Sequence, residues 1–194
     1  MTVGGDTNIQ HNNPDSYSLV QLNNTNNDFT GLVTLSNQVN VDLADRNTLT
    51  VQGEAGSFSA TAAALEQIGD LTVQHQATLN ADTVAFTNSA NDFAGTVVLN
   101  STGNVSIHEQ QVIALQGSAS SLDVRAGTEI NQSGAINVSG TTHLAASTIN
   151  LTHAANNFAG DVSVNAIQQA NVSAGGDLSV GGTAGALKVS AQNE

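Results

Sequence analysis

Apolar residues alternate with polar or small residues along most of this chain, as in Leu71-Thr72-Val73, Ile113-Ala114-Leu115 and Leu178-Ser179-Val180. An i, i+2 spacing of apolar positions is the period of a β-strand with one buried face. In the best-defined stretch the apolar pairs begin at positions 33, 41, 49 and 58, with Asn, Asp, Gly and Ser between them. These intervening residues favour turns. The pattern therefore predicts many short strands separated by tight corners.

Helical spacing of apolar residues is confined to residues 60–68, Ala60-Thr61-Ala62-Ala63-Ala64-Leu65-Glu66-Gln67-Ile68. This segment predicts either one short helical turn on the surface or another strand of the same pattern.

A pentapeptide around a phenylalanine occurs three times, as Asn27-Asp28-Phe29-Thr30-Gly31, Asn91-Asp92-Phe93-Ala94-Gly95 and Asn156-Asn157-Phe158-Ala159-Gly160. The spacing of these phenylalanines predicts a repeat of roughly 64–65 residues. The flanking apolar positions keep the same spacing, for example Val33, Val97 and Val162, then Val51, Leu115 and Val180, then Phe58, Leu122 and Leu187. The chain therefore contains an internal repeat, with copies at about 27–90, 91–155 and, in part, 156–194.

Two all-β architectures fit many short strands. A β-sandwich needs hairpins, usually with Asn-Gly or Asp-Gly turns, and this chain has neither dipeptide. A solenoid instead stacks short strands and corners in successive coils. We therefore predict a right-handed parallel β-helix of about nine coils, each of roughly 21 residues, giving a rod of roughly 43 Å at ~4.8 Å per coil. Three coils per copy would place Phe29, Phe93 and Phe158 at equivalent corners.

The predicted β-helix is a single domain over residues 18–194, preceded by an irregular segment or cap over residues 1–17. A solenoid end leaves an unpaired strand edge. We therefore expect the last coil, around Leu187 to Val189, to fray or to pair end to end.

The composition agrees with a narrow, regular interior and excludes several classes of function. Aromatic residues are 3%, and Trp and Cys are absent, so the core is made from Val, Leu, Ile and Ala without disulfides. The formal charge is −13, and the only cations are Arg46, Arg125 and Lys188. Three cations cannot form a phosphate-binding face, which argues against nucleic acid and anionic membranes as partners. No apolar run approaches the roughly 20 residues of a membrane span.

Residues 148–160, 39–51 and 134–142 resemble the repeats of filamentous-haemagglutinin-type exoproteins. The resemblance covers roughly residues 18–190. It implies a right-handed β-helical shaft in a long Gram-negative protein, exported by two-partner secretion or as an autotransporter. It also implies a secreted or cell-surface location and a role in adhesion, aggregation or presentation of a distal domain. The expected partners are a surface receptor or glycan and flanking segments of the same protein. Asn13-Pro14-Asp15-Ser16 only partly matches the secretion-domain signature of these proteins.

The first residues of the chain do not predict an export signal. Residues 1–5 lack the basic start and apolar stretch of a signal peptide. We therefore expect the chain to be a shaft segment of a longer protein, which spaces or displays binding or effector regions.

The sequence predicts no catalytic, cofactor-binding or metal-binding residue and no enzyme activity. His11, His75, His108, His143 and His153 form no H-x-x-x-H pair. Asp42 and Asp45 are close, but the next copy has Ser106 and Glu109 and the third has Asn171 and Ala174, so these carboxylates are expected to cap corners. Calcium binding at Asp42 with Asp45, or at Asp92 with Asn91, remains an alternative. The alternative function is a β-helix that binds or processes polysaccharide.

Overall fold

The structure, a computed structural model, describes residues 1–10 and 19–192, and within this part the side chains of residues 37–39 are left aside. All regular secondary structure in the described residues is β-strand, which confirms the all-β class. The strands are β1 (Thr2–Val3), β2 (Thr7–Gln10), β3 (Leu19–Leu22), β4 (Asp28–Phe29), β5 (Val33–Ala44), β6 (Thr48–Val73), β7 (Ala77–Phe86), β8 (Asp92–Phe93), β9 (Thr96–Ser101), β10 (Asn104–Glu109), β11 (Val112–Ala119), β12 (Ser121–Ala126), β13 (Glu129–Val138), β14 (Thr142–Leu151), β15 (Asn157–Phe158), β16 (Val162–Ala174) and β17 (Val180–Ala191).

The strands stack as the rungs of a parallel solenoid. Each strand pairs in parallel with strands that lie one circuit of the chain before or after it, as β9 does with β7 and β11. The number of residues that complete one turn varies along the chain. Fewer residues separate the register partners Val39 and Ala55 than separate Leu19 and Asn40. Fifteen strands form one continuous sheet that winds around the axis. The prediction of a parallel β-solenoid of about nine turns is therefore confirmed.

The interior is filled by apolar side chains that stack on their counterparts one turn away. One such row consists of Val105, Leu122, Val162 and Val180, and it is interrupted by Thr142, whose buried Oγ1 has no hydrogen-bond partner among the described residues. Burying one Val or Leu stabilises the fold by roughly 1.5–3 kcal/mol, and the backbone groups pair between rungs. These rows therefore account for most of the stability of the rod.

The rungs have three sides, which we name by their rows. Side A carries the row of Val105, Leu122, Thr142, Val162 and Val180. Side B carries Ile113, Ile130, Ile149, Ala170 and Leu187. Side C carries Ala119, Val138 and Phe158.

The first and third copies of the repeat begin on the same side, and the second copy begins elsewhere. The strand before Phe29 leads to side B through Val20–Val41, Val41–Phe58, Phe58–Ala77, Ala77–Val97 and Val97–Leu115. The corner of Phe29 leads on to side A through Asn27–Arg46, Asn47–Ala64, Leu65–Val84 and Val84–Val105. Phe29 thus lies between sides B and A, as Phe158 does on side C. Phe93 lies instead between a strand of side A and one of side B, because Asn91 bonds to Gln110 in the next rung and β11 follows there. One copy thus takes about three and a half turns. The prediction of three coils per copy, with the phenylalanines at equivalent corners, is wrong because most rungs are shorter than the predicted coil.

The first rung contains strands where the sequence predicts an irregular segment. Thr7-Asn8-Ile9-Gln10 pairs with β5, and Thr2–Val3 pairs with β4. An irregular conformation is therefore wrong for these residues, because the alternating side chains extend the apolar rows and leave Ile9 only 6% exposed; that they cap the rod stays a prediction. Residues 11–17 of the same segment lie outside the described residues. The stretch 60–68 is continuous strand within β6, so its helical alternative is also wrong.

One glycine in each copy allows the rungs to approach closely. Gly53, Gly117 and Gly182 have φ angles of 102°, 113° and 121°, in the left-handed region. A Cβ at Gly117 would lie 2.0 Å from the carbonyl oxygen of Leu99 in the preceding rung. A side chain is excluded there by both the backbone conformation and the space.

Candidate functional surfaces

A buried asparagine saturates its hydrogen bonds at the corner of the second copy. The side-chain Oδ1 of Asn91 accepts from the backbone N–H of Leu71 (2.9 Å) and from Gln67 Nε2 (2.8 Å). Its Nδ2 donates to Gln67 Oε1 (2.9 Å) and to the carbonyls of Phe86 and His108 (both 3.1 Å). The amide thus joins three successive rungs and has no free group to offer a ligand.

The third copy repeats this arrangement on another side of the rod. Asn156 Oδ1 accepts from the N–H of Ile136 and from Gln132 Nε2, both at 2.9 Å. Its Nδ2 donates to Gln132 Oε1 (3.0 Å) and to the carbonyls of Leu151 (3.3 Å) and Ser173 (3.1 Å). In the first copy Val3 pairs with Phe29 as Val73 pairs with Phe93, so Met1 stands at the position of Leu71, and its ammonium donates to Asn27 Oδ1 at 3.3 Å.

A carboxylate in the next rung accepts the backbone N–H of the repeat phenylalanine. Glu109 Oε2 accepts from Phe93 N–H at 2.9 Å, and its Oε1 accepts from Gln111 N–H at 3.1 Å. Burial raises the pKa of Glu109 above its ordinary 4.5, and the nearby Asp92 raises it further. The hydrogen bonds from Phe93 and Gln111 oppose this rise in pKa.

Asp45 has the same role in the first copy. Its Oδ2 accepts from Phe29 N–H at 2.6 Å and its Oδ1 from Asn47 N–H at 2.7 Å. The third copy has Ala174 at this position and so lacks the carboxylate. The prediction that these carboxylates cap corners is confirmed for Asp45 and Glu109 and is wrong for Asp42, which lies within β5 and accepts from side chains of neighbouring strands. The alternation of apolar residues gave no signal for the buried Asn91 and Asn156, although the recurring pentapeptide contains both.

The two aspartates proposed for calcium do not converge. Asp42 lies on the outer face, where it accepts from Asn23 Nδ2 (2.7 Å) and Ser59 Oγ (3.1 Å). Asp45 is buried and turned towards the backbone N–H groups of Phe29 and Asn47. Each carboxylate is thus engaged by a separate set of protein donors.

The second calcium candidate is also divided between the interior and the surface. The Asn91 side chain is fully buried, whereas Asp92 is exposed. Within residues 1–10 and 19–192, no three His, Asp or Glu side chains are grouped as metal ligands.

The described histidines occupy separate surface positions, and His11 lies outside the described residues. His153 Nδ1 accepts the N–H of Ala155 at 3.1 Å, which closes the turn before the third pentapeptide. In the second copy, Asn88 Oδ1 closes the same turn through Ala90.

The outer face of side A carries a mixed-charge cluster that we call the side A patch: His108, Asp123, Arg125 and His143. His108 is the register partner of Arg125, and Asp123 is the partner of His143. Arg125 Nε lies 3.4 Å from Asp123 Oδ1, and the two side chains are 61% and 37% exposed. Open depressions of about 280 and 240 Å³ adjoin the patch and share Asp123 and His143 in their walls. The patch offers donors and acceptors to a ligand on a shallow surface.

A larger open depression, of about 610 Å³, lies near the last rung. Asp161 and Asp177 are part of its wall, together with the backbone around Gly140 and Gly160. Both aspartates are exposed. The described residues of its wall include these two carboxylates and no basic side chain.

The repeat geometry agrees with a comparison of the sequence with protein families. The model of a family described as repeats of unknown function (DUF5649) matches residues 1–36, 38–100 and 102–165. The chain belongs to this family. Its second and third matched segments begin at positions 38 and 102, the same spacing as that of Phe29 and Phe93. Neither the curated proteins nor the solved structures gave a match.

In this DUF5649 chain, the described residues contain no helix that is long and apolar enough to cross a membrane. The buried side chains of Asn91 and Glu109 are engaged with the backbone of neighbouring rungs. The surfaces that can meet a partner therefore include the outer faces of the rungs, among them the side A patch.

Proposed function

We propose that this chain is a structural shaft segment of a large adhesin, secreted by or displayed on a Gram-negative bacterium. In this proposal the stacked repeats set the length and stiffness of the shaft and space its binding or effector regions. The segment itself carries no catalytic activity. The resemblance to filamentous-haemagglutinin-type repeats supports the cellular location.

The observation that carries this proposal is the unbroken interior. Buried apolar residues extend from Ile9 in the first rung to Ala174 in β16, and the rungs stack along one axis. A core of this form transmits force along the rod through hydrogen bonds and packed rows in every turn. The depressions near the side A patch and near the last rung are open, so neither encloses a substrate.

Duplication of one repeat tests whether the chain acts as a spacer. Inserting a second copy of residues 91–155 after Ala155 adds about three and a half turns, or roughly 17 Å at about 4.8 Å per rung. Small-angle scattering should show an increase of that length at constant cross-section. A compact particle, or a larger cross-section at constant length, would contradict the shaft.

The location is tested on cells of the source organism. Antibodies raised against residues 19–192 should label intact cells or the culture medium, and external protease should remove the cell-bound signal. Labelling only after the cells are permeabilised would contradict a surface or secreted location.

We also propose a second candidate function, polysaccharide binding, which the side A patch favours. Asp123 and Arg125 place a carboxylate and a guanidinium side by side, as recognition of sugar hydroxyl groups requires, and His143 adjoins them. Arg125→Gln should abolish binding to oligosaccharides on a glycan array, whereas Lys188→Gln, which removes an exposed cation elsewhere, should not. No binding by the wild-type protein would exclude this candidate.

A further inference from the structure

A tight turn precedes each of the three pentapeptides, and a side chain closes each turn. In the first and second copies the side-chain Oδ1 of Asn24 and of Asn88 accepts the backbone N–H two residues later, at 2.9 Å in both cases. In the third copy the acceptor is Nδ1 of His153, which lies 3.1 Å from the backbone nitrogen of Ala155. We call residues 152–155 the His153 turn. Of the three turns, it is the one that a titratable side chain closes.

The backbone of the three turns is otherwise the same. The first asparagine of each pentapeptide donates its N–H to the carbonyl of the closing residue, at 2.9, 3.2 and 3.1 Å in chain order. The closing residues Asn88 and His153 also donate their own N–H groups to the glutamine of the preceding rung, Gln67 or Gln132. The replacement of an asparagine by a histidine is therefore the chemical difference between the closures of these turns.

An amide oxygen and an imidazole nitrogen respond differently to acid. The amide oxygen of Asn24 or Asn88 remains an acceptor when the pH falls, whereas a protonated imidazole carries a hydrogen on both nitrogens and accepts nothing. Histidine is the side chain whose charge ordinarily changes between about pH 8 and pH 5. Protonation of His153 would place an N–H group against the N–H of Ala155, so the closing bond is lost. The side chain is exposed and is reached by protons from the solvent.

The charged and titratable side chains on the elements around the turn are few. Between residues 129 and 179, apart from His153, they are Glu129 of β13, His143 of β14, and Asp161 and Asp177 on either side of β16. Glu129 accepts from a side-chain amide of the next rung, and His143 belongs to the side A patch. The two aspartates line the depression near the last rung. Within residues 19–192 the recorded bond of the His153 ring is the one to Ala155.

The residue that follows the turn is held from other directions. Asn156 is buried, and its side chain is bonded to Gln132 and to the carbonyls of Leu151 and Ser173. These bonds involve no titratable side chain, so they persist when His153 gains a proton. Loss of the closing bond therefore affects the exposed residues 152–155 and leaves the stacked rungs in place.

We propose that the His153 turn is a pH-sensitive element of the outer surface. Protonation of His153 releases the N–H of Ala155 and loosens the turn, whereas the turns closed by Asn24 and Asn88 stay closed. One copy of the repeat thus presents a surface loop whose conformation depends on pH. This inference concerns a turn on the outside of the rod and does not rest on the proposed function.

Water–amide exchange measured by NMR on the full chain tests the proposal, at about pH 7.5 and about pH 5.5. Each rate is divided by the rate of the unstructured amide at the same pH, which removes the intrinsic effect of pH on exchange. The protection of the Ala155 N–H should fall by about threefold or more on acidification, relative to that of Ala90. Unchanged protection of Ala155 would overturn the proposal.

Two exchanges between the copies identify the group responsible. His153→Asn gives the third turn the closure of the other two, and the pH dependence at Ala155 should disappear. Asn88→His gives the second turn the closure of the third, and Ala90 should acquire the pH dependence. Persistence of the effect in His153→Asn, or its absence in Asn88→His, would overturn the proposal.

The buried amide of Leu144 in β14 is the internal control. Its protection should be the same at the two pH values, because the proposed change is confined to residues 152–155. An equal loss of protection at Leu144 and Ala155 would mean that the rungs themselves open in acid, and would contradict a local switch.

Discussion

Glu109 accepts a hydrogen bond of 2.9 Å from the backbone N–H of Phe93 and thereby joins the corner of one rung to the strand of the next. The carboxylate is buried, and burial raises its pKa above 4.5. Asp45 makes the equivalent bond to Phe29 in the first copy. Glu109 therefore contributes to the stability of the rod in a way that depends on pH.

The raised pKa gives a pH dependence of defined sign. The folded state favours the protonated form of Glu109, so folding takes up a proton between pH 4.5 and the higher pKa of the folded state. The contribution of this group to the free energy of unfolding is complete below pH 4.5 and is lost as pH rises through the folded pKa. The free energy of unfolding of the wild type minus that of Glu109→Gln, measured by denaturant unfolding across this pH range, should show this decline. A flat or rising difference would contradict it.

Removing the buried asparagine of the second copy should destabilise the rod strongly. Asn91→Ala leaves the N–H of Leu71 and the carbonyl of Phe86 without their side-chain partner, and we expect a loss of roughly 2–5 kcal/mol. The matched control is Asn100→Ala, which removes a single exposed bond to Asn80 and should cost less than about 1 kcal/mol. Urea unfolding of the two variants measures the difference. Similar losses in free energy of unfolding would show that the buried hydrogen bonds of Asn91 stabilise the rod no more than the exposed bond of Asn100 does.

Alanine at the repeat glycine should also be costly. Gly117→Ala forces a left-handed φ on a residue with a side chain and places Cβ against Leu99, so a loss of about 2 kcal/mol or more is expected. At Gly181, by contrast, a Cβ meets nothing within 4 Å, and Gly181→Ala should change stability by less than about 1 kcal/mol. Thermal or urea unfolding checks both, and a tolerated Gly117→Ala would contradict the close approach of the rungs.

Alanine at the same repeat position should lower the free energy of unfolding more in the interior of the rod than in its last described rung. Leu122→Ala removes a side chain that is 1% exposed and should cost about 2–5 kcal/mol. Leu187→Ala removes one that is 47% exposed and should cost less than half as much. Unfolding is measured at a protein concentration where the chain is monomeric. Equal losses would mean that β17 is already covered in the monomer.

The fold class was predictable because the relevant signals are local or periodic. Alternation in segments such as Ile113-Ala114-Leu115 requires a strand with one buried face, whatever surrounds it. The pentapeptides around Phe29, Phe93 and Phe158 showed that one unit is repeated. Stacking is then the arrangement in which each unit buries its apolar face and pairs its backbone with the next.

The candidate sites were only partly predictable. Asp45 and Glu109 were expected to cap corners, since they recur at one repeat position beside turns. Their partners, the N–H groups of Phe29 and Phe93, lie 16 residues earlier and depend on how the rungs stack. The side A patch could not be predicted, because Asp123 and His143 come together only through the pairing of β12 with β14.

By itself the sequence determined the strand period, the repeat spacing and the apolar make-up of the core, since each of these is written in neighbouring or recurring residues. The tertiary structure alone decided how many residues complete a turn, because corners of different length are compatible with the same strand pattern. That length sets one repeat at about three and a half turns, places Phe93 on a different side from Phe29 and Phe158, and brings Thr7 and Ile9 into the first rung. These relations are set by hydrogen bonding between rungs, which local periodicity does not encode.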